Sequence, residues 1–401
     1  MAARSDPVRE AQQPRLARLV EPLYFTHVQI RSVVNAVMIA SLSDADVIGP
    51  FQYTGSADRV VFGFGTLARV RDEVDALGRK RAFVVTDAHH SSGAAVALRT
   101  ALGSLAVGAS SDAAMHTPTH VTEKVLLEVT RSGADCLVSL GGGSATGLGK
   151  ALALRTELPL IAVPTTYAGS EVTPILGQTE GGRKTTLRAA SVQPKVIVYD
   201  VDLTLGLPPM LSVVSGLNAV AHAVEALYAK DANPIIAALA ELGIASFARA
   251  LPLIVQNPRD AAARASALFG AWACGKCLGT VGMALHHKLC HTLGGSFDLP
   301  HAETHAVVLP HAVAFNRSAA PEAMRRAARA LGVEDAAVGL FDLTSRLGAP
   351  TSLRALGMAE ADLTRAVEIA VAAPYWNPRP IERDGMRALL DDAYHGRRPR
   401  S

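Results

Sequence analysis

Four cysteines in 401 residues, Cys136, Cys274, Cys277 and Cys290, are too few to staple a disulfide scaffold. Each sits in an apolar stretch, so reduced, buried thiols are expected, in keeping with a reducing cytoplasm. Cys274 and Cys277 form a C-x-x-C with no second pair after it, inside a continuous helical pattern, and are expected to pack instead of binding zinc. Long runs of one charge are also missing. The 39 Lys and Arg against 36 Asp and Glu leave a formal net charge of +3 spread along the chain, without the footprint of a nucleic-acid binder. No apolar run is expected to reach bilayer-spanning length, and the best N-terminal stretch, 32–42, contains Asn35 and lacks a cleavage pattern after it. Neither export nor membrane insertion is expected.

What is present is a chain 49% hydrophobic and 19% charged, with material for a sizeable core and a length that favours two domains. Residues 1–48 lack any strand-and-turn rhythm and are read as an extension outside the core fold. From Phe51 the pattern changes. Short apolar runs at 59–63, 81–87, 136–140, 160–163 and 196–200 alternate with helical spacing at 67–77 and 93–102 and with an Ala/Leu-rich helix after Gly147. Continuous apolar strands alternating with helices predict a parallel sheet covered on both faces, over 49–207. After Leu207 the strand signals cease, so 208–401 is expected to be all helical.

Two groups of residues carry chemistry. Gly141-Gly142-Gly143-Ser144 follows a strand and opens a helix, where bare backbone N–H groups and the helix N-terminus suit a pyrophosphate. Beyond the next strand, Thr165, Thr166, Ser170 and Thr173 offer hydroxyls to the same ligand. Asp87, ending an early strand, is placed to hydrogen-bond an adenosine ribose and to repel a 2′-phosphate, which favours NADH over NADPH. The second group is polar and lies in the helical half. Asn218 and His222 are four apart on one helix face, as are His287 and His291; Pro300 precedes His301, and His305 follows one turn later. Six of the thirteen histidines fall between His286 and His311, a clustering suited to metal binding, proton transfer or anion binding.

On these residues, from Arg59 to the end of the helical half, the sequence resembles the iron-containing alcohol dehydrogenase superfamily. The resemblance implies a Rossmann-like parallel-sheet domain followed by an all-helical C-terminal domain, the fold shared with dehydroquinate synthase. It also implies NAD(P) binding at Gly141–Ser144 and Thr165–Thr173, and a divalent-metal site at the positions of Asn218, His222, His287 and His301, with His291 beside the substrate. The family's helix carries Asp-x-x-x-His; here asparagine stands in place of the aspartate, a neutral carbonyl where a hard anionic donor is needed, so no metal is expected. That substitution, Lys184 to Arg188, Leu285 to His291, Pro300 to His305 and Tyr375 to Arg383 resemble the maleylacetate reductases within the superfamily. The implied activity is reduction of the carbon–carbon double bond of a small dicarboxylate, 2-maleylacetate, by NADH or NADPH in aromatic-compound degradation.

His291, His301, His222 and His287 are then the candidate catalytic residues, with His291 or His301 favoured for enolate stabilisation or proton donation. Asn218, His291, His305 and Arg379 are expected at the substrate, and Lys184 at the cofactor. A homodimer in the cytoplasm is expected from the resemblance. The rival readings are a metal-dependent alcohol dehydrogenase on the same scaffold, a cyclase resembling dehydroquinate synthase, whose phosphorylated substrate needs a denser basic set, and a histidine-rich metal-binding protein.

Overall fold

The computed structural model describes residues 51–55, 58–90, 93–181, 183–372 and 375–400. The expected extension at 1–48 lies outside the described residues. The first half contains β1 (Arg59–Gly63), α1 (Val70–Ala76), β2 (Ala82–Thr86), α2 (Ala94–Leu102), β3 (Ala106–Ser110), α3 (Thr119–Ser132), β4 (Cys136–Gly141), α4 (Gly143–Thr156), β5 (Leu160–Pro164), β6 (Ile175–Glu180), β7 (Arg183–Arg188) and β8 (Val196–Asp200). Six strands form one parallel sheet in the order β1-β8-β5-β4-β2-β3, and β6 pairs with β7 in a separate antiparallel ribbon.

The inner strands β2, β4, β5 and β8 are buried at every residue, which is why they read as unbroken apolar runs. From β2 the chain crosses outward to β3 and then returns to β4 on the other side of β2, continuing to β5 and β8. The order therefore reverses between β2 and β4, the crevice where ligands bind in open α/β sheets. Asp87 and the glycine turn flank that point.

The sequence pattern misses β3, whose Ala106-Val107-Gly108-Ala109-Ser110 has only one bulky residue. A Cβ on Gly108 would lie 2.7 Å from the Phe83 ring, so the strand is kept small to admit its neighbour. The β6–β7 ribbon is also missed, because its residues are mostly polar. The helix expected after Gly147 starts at Gly143, so Gly143 and Ser144 belong to its first turn.

The second half is helical: α5 (Pro209–Leu227), α6 (Pro234–Gln256), α7 (Ala261–Thr280), α8 (Leu285–Phe297), α9 (His301–Asn316), α10 (Pro321–Leu331), α11 (Ala336–Arg346), α12 (Asp362–Ala372) and α13 (Arg383–His395). Pro209 opens α5 at a position where its missing N–H costs nothing, and Asn233 and Asp260 cap α6 and α7 by accepting from Ile236 N and Ala263 N. Contrary to expectation, α5 and α6 are long and apolar enough to cross a bilayer. The richest window of α5 is 89% buried within the fold and that of α6 50%, and both helices contribute to one large core cluster with α7. Asn218, His222 and Glu225 interrupt the apolar surface of α5. Cys274 and Cys277 lie buried in α7 as expected, their thiols pushed up by burial.

The two halves meet backbone to backbone after β5. Gly169 has φ +75°, and a Cβ there would lie 3.1 Å from Gly275 Cα on α7; a Cβ on Gly275 would lie 2.5 Å from Gly169 O. Only glycine satisfies both positions.

Candidate active site

The polar face of α5 is the foundation. Asn218, His222 and Glu225 succeed one another at i, i+4 and i+7, so they form one stripe, and all three are buried. A buried carboxylate needs several donors, and Glu225 has them: Oε2 accepts from Ala284 N at 2.9 Å and from His287 Nδ1 at 2.7 Å, and Oε1 from His286 N at 2.7 Å. Burial pushes the carboxyl up, but the His287 hydrogen bond and charge and the remaining donors outweigh it and hold it at about 2. An ionised carboxylate only accepts, so His287 Nδ1 carries a proton and donates it to the bond, and Nε2, buried without a partner, faces the cluster. Glu225 thus fixes the tautomer and aim of His287.

Around this anchor the rings form a continuous cluster. The His222 and His287 centroids are 4.9 Å apart, His287 and His305 5.1 Å, His301 and His305 4.4 Å, and His291 and His301 6.3 Å. The five candidate histidines of the sequence join it, whereas His311, counted in the same stretch, packs against Phe341 instead. His291 and His301 are exposed, whereas His222, His287 and His305 are buried. Burial, reinforced by neighbouring imidazoles, pushes His222 and His305 well down, so both are neutral at pH 7. Buried atoms without hydrogen-bond partners accumulate here: Asn218 Oδ1, His222 Nδ1, His287 Nε2 and His305 Nε2. Such orphans mark a ligand position.

Two residues to which the sequence pattern assigns no role also belong to the cluster. His286 Nε2 lies 3.0 Å from His305 Nδ1, and the Cys290 Sγ is 3.7 Å from His286 Nε2. Burial and the nearby Glu225 push the Cys290 thiol well up, so this trio is a hydrogen-bonded support for His305 and holds no thiolate.

Of the four superfamily metal positions, Asn218 supplies an amide oxygen and His222, His287 and His301 supply imidazoles. That donor set lacks the anionic oxygen of an Asp-x-x-x-His helix, which lowers its affinity for a divalent cation, while its three imidazoles are ligands that suit Zn²⁺ or Fe²⁺.

The residues expected at the cofactor lie beyond the C-terminal ends of β4 and β5, beside the sheet's switch point. Gly142 is the N-cap of α4 without a side-chain cap bond, and Gly143 has nothing within 4 Å of where a Cβ would stand, so first-turn N–H groups are open to an anion. A Cβ on Gly142 would lie 3.0 Å from Thr166 Cγ2, and Thr165 N donates to Gly141 O at 3.1 Å, which ties the two segments together. Thr165 Oγ1 and Ser170 Oγ are buried and unpartnered, as hydroxyls awaiting a ligand would be. These features fit a dinucleotide.

Lys150, hidden in an Ala/Leu run of α4, is not legible in the sequence as a site residue. Its buried Nζ donates to Ser170 O, Thr173 O, Thr173 Oγ1 and Ile175 O, all between 2.5 and 3.0 Å. Burial pulls its pKa down to about 7, with Glu171 opposing. It clamps the segment after β5.

Three expectations are corrected or left aside. Thr173 does not present a free hydroxyl, because Oγ1 donates to Ser170 O and accepts from Lys150. Arg379 does not reach the histidines; it stacks over Phe315, 4.2 Å from the ring centroid. Phe315 is fourteen residues beyond His301 on α9, roughly 21 Å along the axis. The backbone of Lys184 pairs with Thr179 in the β6–β7 ribbon, and its side chain lies outside the described residues.

Residues 57–201 match the family model for iron-containing alcohol dehydrogenase, and residues 212–394 that for the C-terminal part of the Fe-containing alcohol dehydrogenase family. The chain is 55% identical over 350 residues to a maleylacetate reductase of Rhizobium sp. strain MTP-10005, covering 87% of this chain and 99% of the relative. It superposes on the crystal structure of maleylacetate reductase from Agrobacterium tumefaciens with a TM-score of 0.86 at 54% identity, covering 88% and 100% of the two chains. The iron-containing alcohol dehydrogenase of Corynebacterium glutamicum gives a TM-score of 0.83 at 40% identity, covering 88% and 98%.

Proposed function

Because the chain belongs to the iron-containing alcohol dehydrogenase family, and within it groups with the maleylacetate reductases, we propose that it reduces the carbon–carbon double bond of 2-maleylacetate to 3-oxoadipate with NADH or NADPH and without a resident metal. The observation that carries the reading is Asn218, a neutral amide with a buried unpartnered oxygen, on the helix face shared with His222. Asp87 at the end of β2 supports NADH as the preferred donor.

A nicotinamide held at the glycine turn would supply the hydride that the carbon β to the ketone accepts. The residues of this chain handle the resulting charge and the proton. Negative charge lands on the ketone oxygen as an enolate, and imidazole N–H groups stabilise it there. His291 and His301, exposed at the edge of the cluster, are positioned to donate the N–H bond and then the proton that saturates the α carbon. His287, aimed by Glu225, and His222 keep the inner wall in fixed orientation. His305, held by His286, offers Nε2 to a substrate carboxylate.

The test is NADH consumption with freshly generated maleylacetate beside small aldehydes and ketones, before and after exhaustive chelation. Reduction of maleylacetate that survives chelation supports the reading; loss on chelation with recovery on adding Zn²⁺ or Fe²⁺ overturns its metal-free part. The three imidazoles and the likeness to an iron-containing alcohol dehydrogenase favour one rival, a metal-dependent alcohol dehydrogenase, which predicts aldehyde reduction lost on chelation. We also place the protein in the cytoplasm as a homodimer, with neither nucleic acid nor membrane as partner. The edge strand β1, which exposes Val60 and Phe62, supports self-association, and sedimentation of the purified chain tests it.

A further inference from the structure

We propose that a cavity at the C-terminal end of α9, separate from the histidine cluster, is a second binding site for a small oxyanion of the carboxylate or phosphate type. The cavity, of about 520 Å³, lies between α9, α13 and the segment 397–400. Its volume falls within the range of small-molecule sites.

Four guanidinium groups line it, from Arg379, Arg397, Arg398 and Arg400, against one carboxylate, Asp392. Two of the four are neutralised. Arg397 pairs with Asp391 and Asp392, and Arg398 holds Asp342 with two bonds of 2.7 Å. The other two are not. Arg379 donates to Phe315 O at 3.1 Å and lies flat over the Phe315 ring, which fixes its plane without compensating its charge. Arg400 makes no ion pair through its side chain among the described residues. Planar guanidinium forks held in one orientation match carboxylate and phosphate oxygens.

The second observation is independent of the arginines. His311, on α9, lines the same cavity with 4% of its surface exposed, and its Nε2 has no hydrogen-bond partner. A buried imidazole nitrogen left unpaired costs stability unless a ligand pairs with it. Space is kept open at Gly385, where a Cβ would lie 3.0 Å from Phe315 Cε2 and 3.6 Å from Arg379 Nη2. A side chain there would fill the place where an anion meets Arg379.

Calorimetric titration of the full chain with succinate in one arm and inorganic phosphate in the other tests the site, using wild type, Arg379→Gln and Arg400→Gln. Wild type should bind at least one probe, with affinity falling about tenfold or more in each variant, about 1.4 kcal/mol. The probe that binds tighter identifies the source of the oxyanion. Melting temperature without ligand checks that the variants are folded, and Arg400→Gln, at the exposed rim, keeps the test open if Arg379→Gln disturbs packing. No binding of either probe, or affinity unchanged in both variants, overturns the proposal. A parallel tenfold loss of maleylacetate turnover in both variants overturns the separateness of the site. Because binding is read as heat, the result stands whether or not the proposed reaction is found.

Discussion

Glu225 Oε2 accepts a hydrogen bond of 2.7 Å from His287 Nδ1, and through it α5 decides which nitrogen of His287 faces the cluster. Glu225→Gln replaces an acceptor that takes donors at both oxygens with an amide that must donate from one side. The amide NH₂ then confronts Ala284 N, His286 N or His287 Nδ1–H. We expect a loss of roughly 3–5 kcal/mol of stability and a fall in kcat exceeding any change in KM for NADH. Thermal melts and steady-state kinetics check both; a variant as stable and active as wild type removes Glu225 from its orienting role.

Asn218→Asp restores an anionic oxygen one turn from His222. With His287 and His301 the set should take up Zn²⁺ or Fe²⁺ in about one equivalent, while maleylacetate reduction falls because the metal takes imidazole lone pairs. Elemental analysis after dialysis against each metal decides it: a variant that stays metal-free shows that Asn218 serves only packing.

Lys150→Met keeps volume but removes the donor shared by Ser170 O, Thr173 O, Thr173 Oγ1 and Ile175 O. The segment 170–175 should loosen, with roughly 3–5 kcal/mol lost and KM for NADH rising more than KM for maleylacetate. Equal changes in both constants would show that the clamp does not act through the cofactor segment.

Asp87→Ala should narrow the preference for NADH over NADPH by about tenfold, since a carboxylate near a 2′-phosphate repels it by on the order of 1 kcal/mol or more. The ratio of kcat/KM for the two cofactors is the measurement; an unchanged ratio places Asp87 away from the ribose.

Burial holds His311 down to about 4, opposed by Asp392, against an ordinary value near 6.5. The unfolded chain therefore takes up this proton first as pH falls, and stability contributed by the neutral ring is complete above about 6.5 and lost on descent to about 4. His311→Asn should lower the slope of unfolding free energy against pH in that window by up to about 1.4 kcal/mol per pH unit. Urea melts at several pH values read it directly.

A residue is legible in the sequence when it contrasts with its neighbours there. The inner strands stand out because both faces are buried, and the histidines because chance does not gather six in one stretch. β3 is invisible because Phe83 requires small residues opposite it, a constraint from another strand. Lys150 and Glu225 are invisible as functional because each is a charge set in an apolar run of its helix, and its partners come from distant segments. The sequence around Arg379 looks like a substrate-binding loop, but only the packing of α13 on α9 reveals that it faces Phe315.

The contact of Gly169 with Gly275 has a mechanical side. Side chains absorb a small displacement by changing rotamer, but two bare backbones in contact have nothing to rotate. A shift of α7 toward this point is therefore passed undamped to the segment that Lys150 grips, so packing substitutions on the far face of α7 reach residues 170–175 without touching them.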